Sequence, residues 1–209
     1  MRFRKRQVDP NKDILEVLRT YHRRITALER ELASLHRLRK ETEIRVGVFV
    51  DVQNVFYGAK KEYNARLDFG KLLPFIVGNR RLVIAYAYVI ENPDIDQKGF
   101  FQFLDHRSYT VKRKELIRHA DGTLEGDWDM EIALDMIELA DQLDVVALVS
   151  GDGDFVPVLK RIKLKGPKVE VYGFTHNTAA DLKEVADVFV PIPRELMLQK
   201  ENTHVWGTS

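Results

Sequence analysis

Apolar residues recur every three or four positions in the first part of the chain, which predicts a long amphipathic helix. The steps alternate between four and three residues, the spacing of a heptad repeat. The seam consists of Ile14, Leu18, Tyr21, Ile25, Leu28, Leu32 and Leu35. In a parallel pair, Arg24 of one helix would face Glu29 of the other, and a second pair would join Glu31 to His36. The pattern predicts self-association, as a dimer or a higher homo-oligomer, through residues 14–35, or a helix docked on its own domain.

A different pattern begins near residue 44, where short β-branched and apolar runs alternate with helical segments. Strands are predicted over 44–51, 81–90, 109–116, 144–150, 168–174 and 188–191. Helices are predicted over 55–64, 68–77, 96–106, 127–140, 155–164 and 179–186. Strands that alternate with helices favour a parallel sheet covered on both faces. The expected fold class is a three-layer α/β/α sandwich with a mostly parallel sheet, preceded by the amphipathic helix.

Boundary patterns divide the chain into three parts. Residues 41–43 are expected to form a hinge, because the apolar periodicity changes there. The predicted parts are a basic arm with the long helix, an α/β domain and a tail, over 1–43, 44–193 and 194–209. Caps are predicted for the first helix and the last helix, from Asn11 or Asp13 and from Asn177 or Thr178. A polar loop with an Asp121–Gly122 turn is predicted over 118–126.

Composition narrows the class of protein. The 209 residues contain no cysteine, which excludes disulfides and thiolate chemistry. No apolar run is long enough to cross a bilayer, and the basic start lacks the apolar core of a signal peptide, so a cytoplasmic protein is expected. The net charge of +1 conceals an asymmetry, since residues 1–40 hold 12 Lys and Arg against five Asp and Glu. This basic arm is either a contact for an anionic partner or a solvated helix face.

Carboxylates fall where the carboxyl ends of the predicted strands should meet. Asp51 ends the first strand, and Asp152 and Asp154 follow the strand over 144–150. Asp129 opens a helix after a turn. Because right-handed crossovers place these ends on one rim of the sheet, the acids are expected to share a pocket. Carboxylates held close together repel each other, so the pocket is predicted to bind Mg²⁺ or Mn²⁺, which prefer oxygen ligands.

Each of these acids alone is also typical of a helix cap or a partner of the helix dipole. Their convergence is what indicates a site. Three neighbouring acids, Asp127, Asp129 and Asp135, compete for a place in the pocket, and the sequence does not decide between them. Asn54 is expected either to hydrogen-bond a carboxylate or a phosphate, or to cap the helix that begins at Val55.

Basic side chains near the predicted rim are candidate contacts for a nucleic-acid backbone. They are Arg113, Lys114 and Lys160. Each is also typical of an ordinary surface charge. Gly151 and Gly153 do not form a phosphate-binding loop, because the Lys-Ser/Thr that completes such a loop is absent.

Three motifs, in this order and spacing, resemble the NYN domain. They are Phe49-Val50-Asp51-Val52-Gln53-Asn54-Val55, Gly126-Asp127-Trp128-Asp129 with Asp135 beyond it, and Ser150-Gly151-Asp152-Gly153-Asp154-Phe155. The chain is similar to LabA-like members of this family, a branch of the PIN-like nucleases, over residues 44–192. The resemblance implies a PIN-like fold and metal-dependent RNase activity. On the matching positions it implies an acidic site made of Asp51, Asp129, Asp152 and Asp154, with Asn54 beside it.

Three functions follow as expectations from the residues and the resemblance together. The first is a metal-dependent endoribonuclease that hydrolyses single-stranded or structured RNA with a metal-activated water. The second is a non-catalytic regulatory module that binds RNA or protein and oligomerises through its N-terminal helix. The third is a phosphohydrolase acting on a small molecule. The intact acid set favours the first.

Overall fold

The protein is described here by a computed structural model, which covers residues 10–92, 95–115, 117–118, 124–125 and 127–198. Its contacts fall into two compact units, divided between Glu43 and Ile44. The predicted Asp121–Gly122 turn and most of the predicted tail lie outside the described residues.

The described part of the first unit is one helix, α1, from Pro10 to Thr42. The helix begins before Asn11 and Asp13, so the predicted cap at either residue is wrong. It also continues into the predicted hinge at 41–43. The residues of the seam are strongly exposed, at 52–63% of each residue: Ile14, Leu18, Tyr21, Ile25, Leu28 and Leu32. The side chains of Leu35 and His36 lie outside the described part. None of the described helices is apolar over a length that could cross a membrane.

The second unit is built on a parallel sheet. Its strands are β1 (Arg45–Asp51), β2 (Arg81–Glu91), β3 (Thr110–Glu115), β6 (Val145–Val149), β7 (Lys168–Gly173) and β8 (Val188–Pro191). Among the described residues these six form one sheet in the order β3-β2-β1-β6-β7-β8, and every pair is parallel. The chain builds outward in one direction from β1 to β3 and in the other from β6 to β8. The strand order therefore reverses between β1 and β6.

Two short strands, β4 (Ile117–Arg118) and β5 (Leu124–Glu125), pair antiparallel outside the main sheet. Arg118, Leu124 and Glu125 lie in the segment 118–126 that was predicted to be an irregular polar loop. That prediction is wrong at these three positions, because two-residue strands leave too short a pattern for hydrophobic periodicity to reveal.

Helices cover both faces of the sheet. They are α2 (Val52–Tyr63), α3 (Phe69–Val77), α4 (Lys98–His106), α5 (Asp129–Leu139), α6 (Val156–Lys165) and α7 (Ala180–Val185). One core packs α2, α3 and α4 against one face of the sheet, and a second core packs α5, α6 and α7 against the other. The sequence of β1 is apolar without alternation because both of its faces are buried. Val48 and Val50 enter the first core, and Phe49 enters the second. The predicted α/β/α sandwich is confirmed, and its main sheet is parallel throughout.

Helix starts differ from the predictions in ways that matter for the site. α2 begins at Val52 because Asp51, and not Asn54, is its N-cap. α5 begins at Asp129, which leaves Asp127 in the preceding segment. α7 begins without a side-chain cap, and the Thr178 hydroxyl donates to the Phe174 carbonyl at 2.8 Å instead. The caps predicted from Asn54 and from Asn177 or Thr178 are therefore wrong.

Candidate active site

The polar residues of interest surround the point where the strand order reverses. β1 and β6 are neighbours in the sheet, with Val50 paired to Val149, so Asp51 and Ser150 follow side by side. Open parallel sheets bind ligands in the crevice at such a point, outside the carboxyl ends of the strands. Two turns of the chain line this crevice. One leads from β1 into α2, and the other follows β6.

Asp51 is the most enclosed carboxylate of the crevice, with only 8% of the residue exposed. Its Oδ1 accepts a hydrogen bond from the Asn54 N–H at 3.1 Å, and its Oδ2 accepts one from the Ser150 hydroxyl at 3.2 Å. Burial raises the pKa of Asp51, these hydrogen bonds oppose the rise, and the neighbouring Asp152 adds to it. The cap and the site are thus two roles of one side chain.

Two polar side chains connect the β1 end to the β6 end. The buried Ser150 hydroxyl donates to Asp51 and accepts from the Asp152 N–H at 3.2 Å. The Asn54 Oδ1 accepts from the Gly151 N–H at 2.8 Å. Both bonds fix the distance between the two turns that carry the carboxylates. Sequence reasoning assigned no role to Ser150, although a hydroxyl residue between a buried strand and an acid was a usable indication.

The turn after β6 is compact because Gly151 has no side chain. The Ala179 N–H donates to the Gly151 carbonyl at 2.9 Å, and a Cβ on Gly151 would collide with the Asn177 carbonyl. Asp152 then caps a single 3₁₀ turn, where its Oδ1 accepts from the Asp154 N–H at 3.0 Å. Asp154 itself is exposed at the rim.

Asp129 joins this group from the other side, as the first residue of α5. Partial burial, followed by the carboxylates of Asp152, Asp51, Asp127 and Asp154, raises the pKa of Asp129 to about 6. Asp129 is thus near enough to the acids at the ends of β1 and β6 for their charges to act on it. The structure therefore brings Asp51, Asp129, Asp152 and Asp154 together. Asp127 is exposed beside this cluster.

Asp135 does not belong to the cluster. Its Oδ2 accepts a hydrogen bond from the Tyr88 hydroxyl at 2.6 Å and forms an ion pair with Lys112 Nζ at 2.5 Å. Lys112 in turn lies over the Tyr86 ring, 4.5 Å from its centre. Burial and the Asp135 carboxylate both raise the pKa of Tyr88, so its phenol stays protonated and able to donate.

This Asp135 network adjoins the crevice through the sheet. Tyr88 on β2 is paired in register with Asp51 on β1, and with Lys112 on β3. The network joins α5 to β2 and β3, and its Tyr88 lies on the strand next to Asp51. Sequence reasoning missed Tyr88 and Lys112, and only the alternation of polar residues along β3 indicated a shared face.

The predicted nucleic-acid contacts are distributed around the unit. Arg113 turns to the α4 face, where its guanidinium lies 4.4 Å from the centre of the Phe101 ring. Lys114 is on the α5 face, where it forms an ion pair with Glu131 at 2.8 Å and donates to the Asp127 carbonyl at 3.0 Å. Lys160 is exposed on α6. Of these three, Lys114 is the one linked directly to the segment that carries Asp129.

The acidic cluster offers a metal ion carboxylate oxygens only. Among the described residues, no Lys, Arg or His lies within 4.0 Å of the cluster carboxylates. Within the same ranges, no three acidic or histidine side chains converge closely enough to surround one ion. Mg²⁺ needs no such cage, because it binds through one or two carboxylates and keeps several waters. An oxygen-only donor set with excess negative charge fits Mg²⁺ or Mn²⁺.

The chain is similar to one protein family, to two catalogued proteins and to a solved structure. The sequence profile of the NYN domain matches residues 45–193. Low amplitude and bright protein LabA of Synechococcus elongatus is 28% identical over 156 residues, which cover 71% of this chain and 83% of LabA. An uncharacterized protein of Methanocaldococcus jannaschii is 36% identical over 78 residues, 36% of this chain and 32% of that protein. The crystal structure of a Vibrio parahaemolyticus protein of unknown function matches with a TM-score of 0.70 and 37% identity, covering 75% and 97% of the two chains.

Proposed function

This chain belongs to the NYN domain family, with LabA-like relatives, and we propose that it is a metal-dependent ribonuclease. The observation that carries the proposal is the cluster of Asp51, Asp129, Asp152 and Asp154 in a sheet crevice. Four carboxylates that have no cationic side chain within 4.0 Å in the described parts of the chain are costly to maintain for stability alone. A site that binds divalent cations and phosphates accounts for that cost.

Each residue of the cluster has a proposed task. Asp51, Asp129 and Asp152 would hold Mg²⁺ or Mn²⁺, in part through waters that the ion keeps, and Asp154 would complete the shell or orient a water. When bound, the metal polarises the scissile phosphate and lowers the pKa of the attacking water. No side-chain nucleophile is required for this hydrolysis.

Asn54 has a task that follows from its hydrogen bond. The Gly151 N–H can only donate, so it must face the carbonyl oxygen of the Asn54 amide. The Nδ2 hydrogens of Asn54 then point away from that bond. We assign them to donate to a phosphate oxygen of the substrate, next to the Asp51 carboxylate that Asn54 helps to fix.

The proposed substrate is single-stranded or structured RNA, cleaved internally. Lys114 and Lys160 remain proposed contacts for the RNA backbone, and so does Arg113 on the α4 face. The cytoplasm stays the predicted compartment. Self-association through residues 14–35 is also part of the proposal, supported by the exposed seam of α1.

Circular single-stranded RNA tests the proposal, because only internal cleavage can open a circle. With Mn²⁺, the parent chain is expected to linearise the circle. Asp51→Asn should reduce the rate about 100-fold or more, since a ligand of the metal is lost. Asp141→Asn, an exposed acid paired with Lys165 on the surface, is the matched control and should cleave at the parent rate. Equal cleavage by the parent and Asp51→Asn would show a contaminating nuclease.

A second function has its own supporting observation. The long exposed seam of α1 favours a non-catalytic module that binds RNA or protein and oligomerises through this helix. This alternative predicts no cleavage of any RNA with either metal, while self-association through α1 persists. A small-molecule phosphohydrolase would instead release phosphate without cutting RNA.

A further inference from the structure

The outward face of α2 has an unusual composition for a surface helix. The inner face packs on the sheet through Val52, Val55, Gly58 and Ala59. The outward face presents Gln53, Phe56, Tyr57, Lys60 and Lys61, all of which are exposed. Phe56 is 45% exposed and Tyr57 is 59% exposed. Two neighbouring aromatic rings in solvent forgo the stabilisation that burial would give them.

The two rings form one surface with a lysine beside them. Phe56 and Tyr57 meet edge to face, with ring centres 5.7 Å apart at 78°. Lys60 lies one helical turn beyond both rings, four residues from Phe56 and three from Tyr57. The α2 face therefore places aromatic surface next to positive charge.

The charge of the α2 face is not neutralised nearby. In the described parts of the chain, no carboxylate lies within 4.0 Å of Lys60 or Lys61. Glu62, the acid that follows them, is turned inward with 10% of its side chain exposed, and accepts from the His176 N–H at 3.0 Å. Lys112 and Lys114 differ in this respect, because Asp135 and Glu131 pair with them.

The α2 face also starts at the acidic cluster. Its helix begins at the residue after Asp51, and Tyr57 is one turn beyond Asn54, which bonds the Gly151 N–H. A rise of 1.5 Å per residue separates Asn54 from Tyr57 by about 4.5 Å along the helix axis. A strand of nucleic acid with one phosphate at the cluster can therefore reach the rings with a neighbouring nucleotide.

We propose that the α2 face binds unpaired nucleotides of single-stranded RNA. The rings of Phe56 and Tyr57 stack on bases, and Lys60 and Lys61 hold the backbone phosphates. Every base has a π-face, so this contact favours single strands without fixing a base sequence, whereas paired bases in a duplex are inaccessible to it. The inference rests on the proposed function, because it deepens the substrate class of the same crevice.

A fluorescent base tests the stacking directly. A single-stranded RNA of about 12 nucleotides, with 2-aminopurine at successive positions, is titrated with the full chain carrying Asp152→Asn, in EDTA. Stacking on a ring quenches the 2-aminopurine emission, and anisotropy of an end label gives the affinity. The same titration is made with Tyr57→Ala, Phe56→Ala and Tyr57→Phe added to the Asp152→Asn chain.

The expected result is a loss of affinity of about tenfold for Tyr57→Ala and for Phe56→Ala, together with loss of the quench. Tyr57→Phe keeps a ring and should bind within about twofold of its parent. Phe75→Ala, which removes an aromatic ring of α3 that is 41% exposed, is the control and should leave affinity and quench unchanged. Circular dichroism establishes that each variant is folded.

The outcomes separate this inference from the nuclease proposal. If Tyr57→Ala and Phe56→Ala bind RNA as Phe75→Ala does, the α2 face is not an RNA contact, even where the parent chain cleaves RNA. If both lose binding while the parent chain cleaves nothing with Mg²⁺ or Mn²⁺, the RNA contact stands and the nuclease proposal falls. If the rings instead mediate contact between two copies, sedimentation changes without RNA, and the inference is overturned.

Discussion

Individual carboxylates in this protein stabilise the fold as helix caps and destabilise it through their mutual repulsion. Asp51 caps α2 and Asp152 caps the 3₁₀ turn after β6, and caps of this kind stabilise helices by about 1 kcal/mol. The same positions bring the two charges near Asp129, whose pKa is raised to about 6 by partial burial and then by these neighbouring charges. The cluster is therefore a place where the metal-free protein is less stable than its packing allows.

The first prediction concerns Asp129→Asn in EDTA. Between the ordinary pKa of 3.8 and the folded value of about 6, the folded protein holds a proton that the unfolded chain has lost. The contribution of Asp129 to the stability of the wild type therefore falls as pH rises through this window. The variant lacks the charge, so its Tm should exceed that of the wild type by about 1–3 °C at pH 7, with no difference near pH 4.

Two comparisons make this prediction specific. Asp127→Asn removes an exposed neighbouring charge and should change the Tm by less than about 1 °C. Added Mn²⁺ should raise the Tm of the wild type and leave that of Asp129→Asn nearly unchanged. A variant that is less stable than the wild type at pH 7, or a pH-independent difference, would contradict the account of Asp129.

The sequence allowed the positions of the acids to be predicted better than their partners. Asp51, Asp152 and Asp154 were predictable because a buried strand in a parallel sheet must deliver its last residues to one edge. Asp129 could not be chosen over Asp127 and Asp135, since the choice depends on where α5 begins. The bonds from Ser150 to Asp51 and from Asn54 to Gly151 span 97 residues or more, and no local pattern records them.

At the scale of elements, one partly buried polar contact joins α5 to the sheet. Asp135 reaches from α5 to Tyr88 on β2 and to Lys112 on β3. The Asp135 side chain is 17% exposed and Tyr88 is fully buried, so neither can easily exchange its partner for water. The contact fixes the helix whose first residue is Asp129, and thus bears on the acidic cluster indirectly.

The second prediction is that Asp135→Ala lowers the free energy of unfolding by about 2–4 kcal/mol. The reason is that the Tyr88 hydroxyl and the partly buried Lys112 ammonium are both left without their acceptor. Urea denaturation at pH 7 measures the change. Asp141→Ala, which breaks an ion pair whose acid is 70% exposed, is the control and should cost less than about 1 kcal/mol. Equal costs for the two variants would show that the Asp135 network does not hold α5.

The elements themselves were largely predictable, for a physical reason. Strands buried on both faces must be apolar throughout, and the helices between them must be amphipathic. The alternation of these two patterns along the chain therefore predicts the sandwich. The pairing of β4 with β5 was not predictable, because it is short and lies outside the cores. The start of α2 was misplaced by three residues, because Asp51 had been counted only as a strand end.

At the scale of the whole molecule, the chain combines two units with different surfaces. The first is a helix whose apolar seam is exposed, and the second has its buried apolar residues arranged in two cores, one on each face of the sheet. A stripe of large apolar side chains in water is unfavourable, and pairing with a second copy would remove it. The heptad spacing and the Arg24 to Glu29 complementarity favour a parallel pair.

The third prediction is that Leu28→Glu abolishes self-association. Leu28 is at a seam position and 63% exposed, so a charge there is harmless in the single chain and would be buried in the pair. Sedimentation equilibrium should show a monomer for the variant and a dimer or larger species for the parent. Ala27→Glu places the same charge off the seam and should leave the assembly intact. A parent chain that sediments as a monomer at tens of micromolar would contradict self-association.

The central claim is that the acidic cluster is a metal-dependent nuclease site. The most direct test is cleavage of end-labelled single-stranded RNA with Mn²⁺, Mg²⁺ or EDTA, with the wild type beside Asp152→Asn. The account predicts cleavage by the wild type with either metal, none in EDTA, and none by Asp152→Asn under any condition. No cleavage by the wild type across several RNAs, although Mn²⁺ still binds, would contradict it and favour the regulatory module.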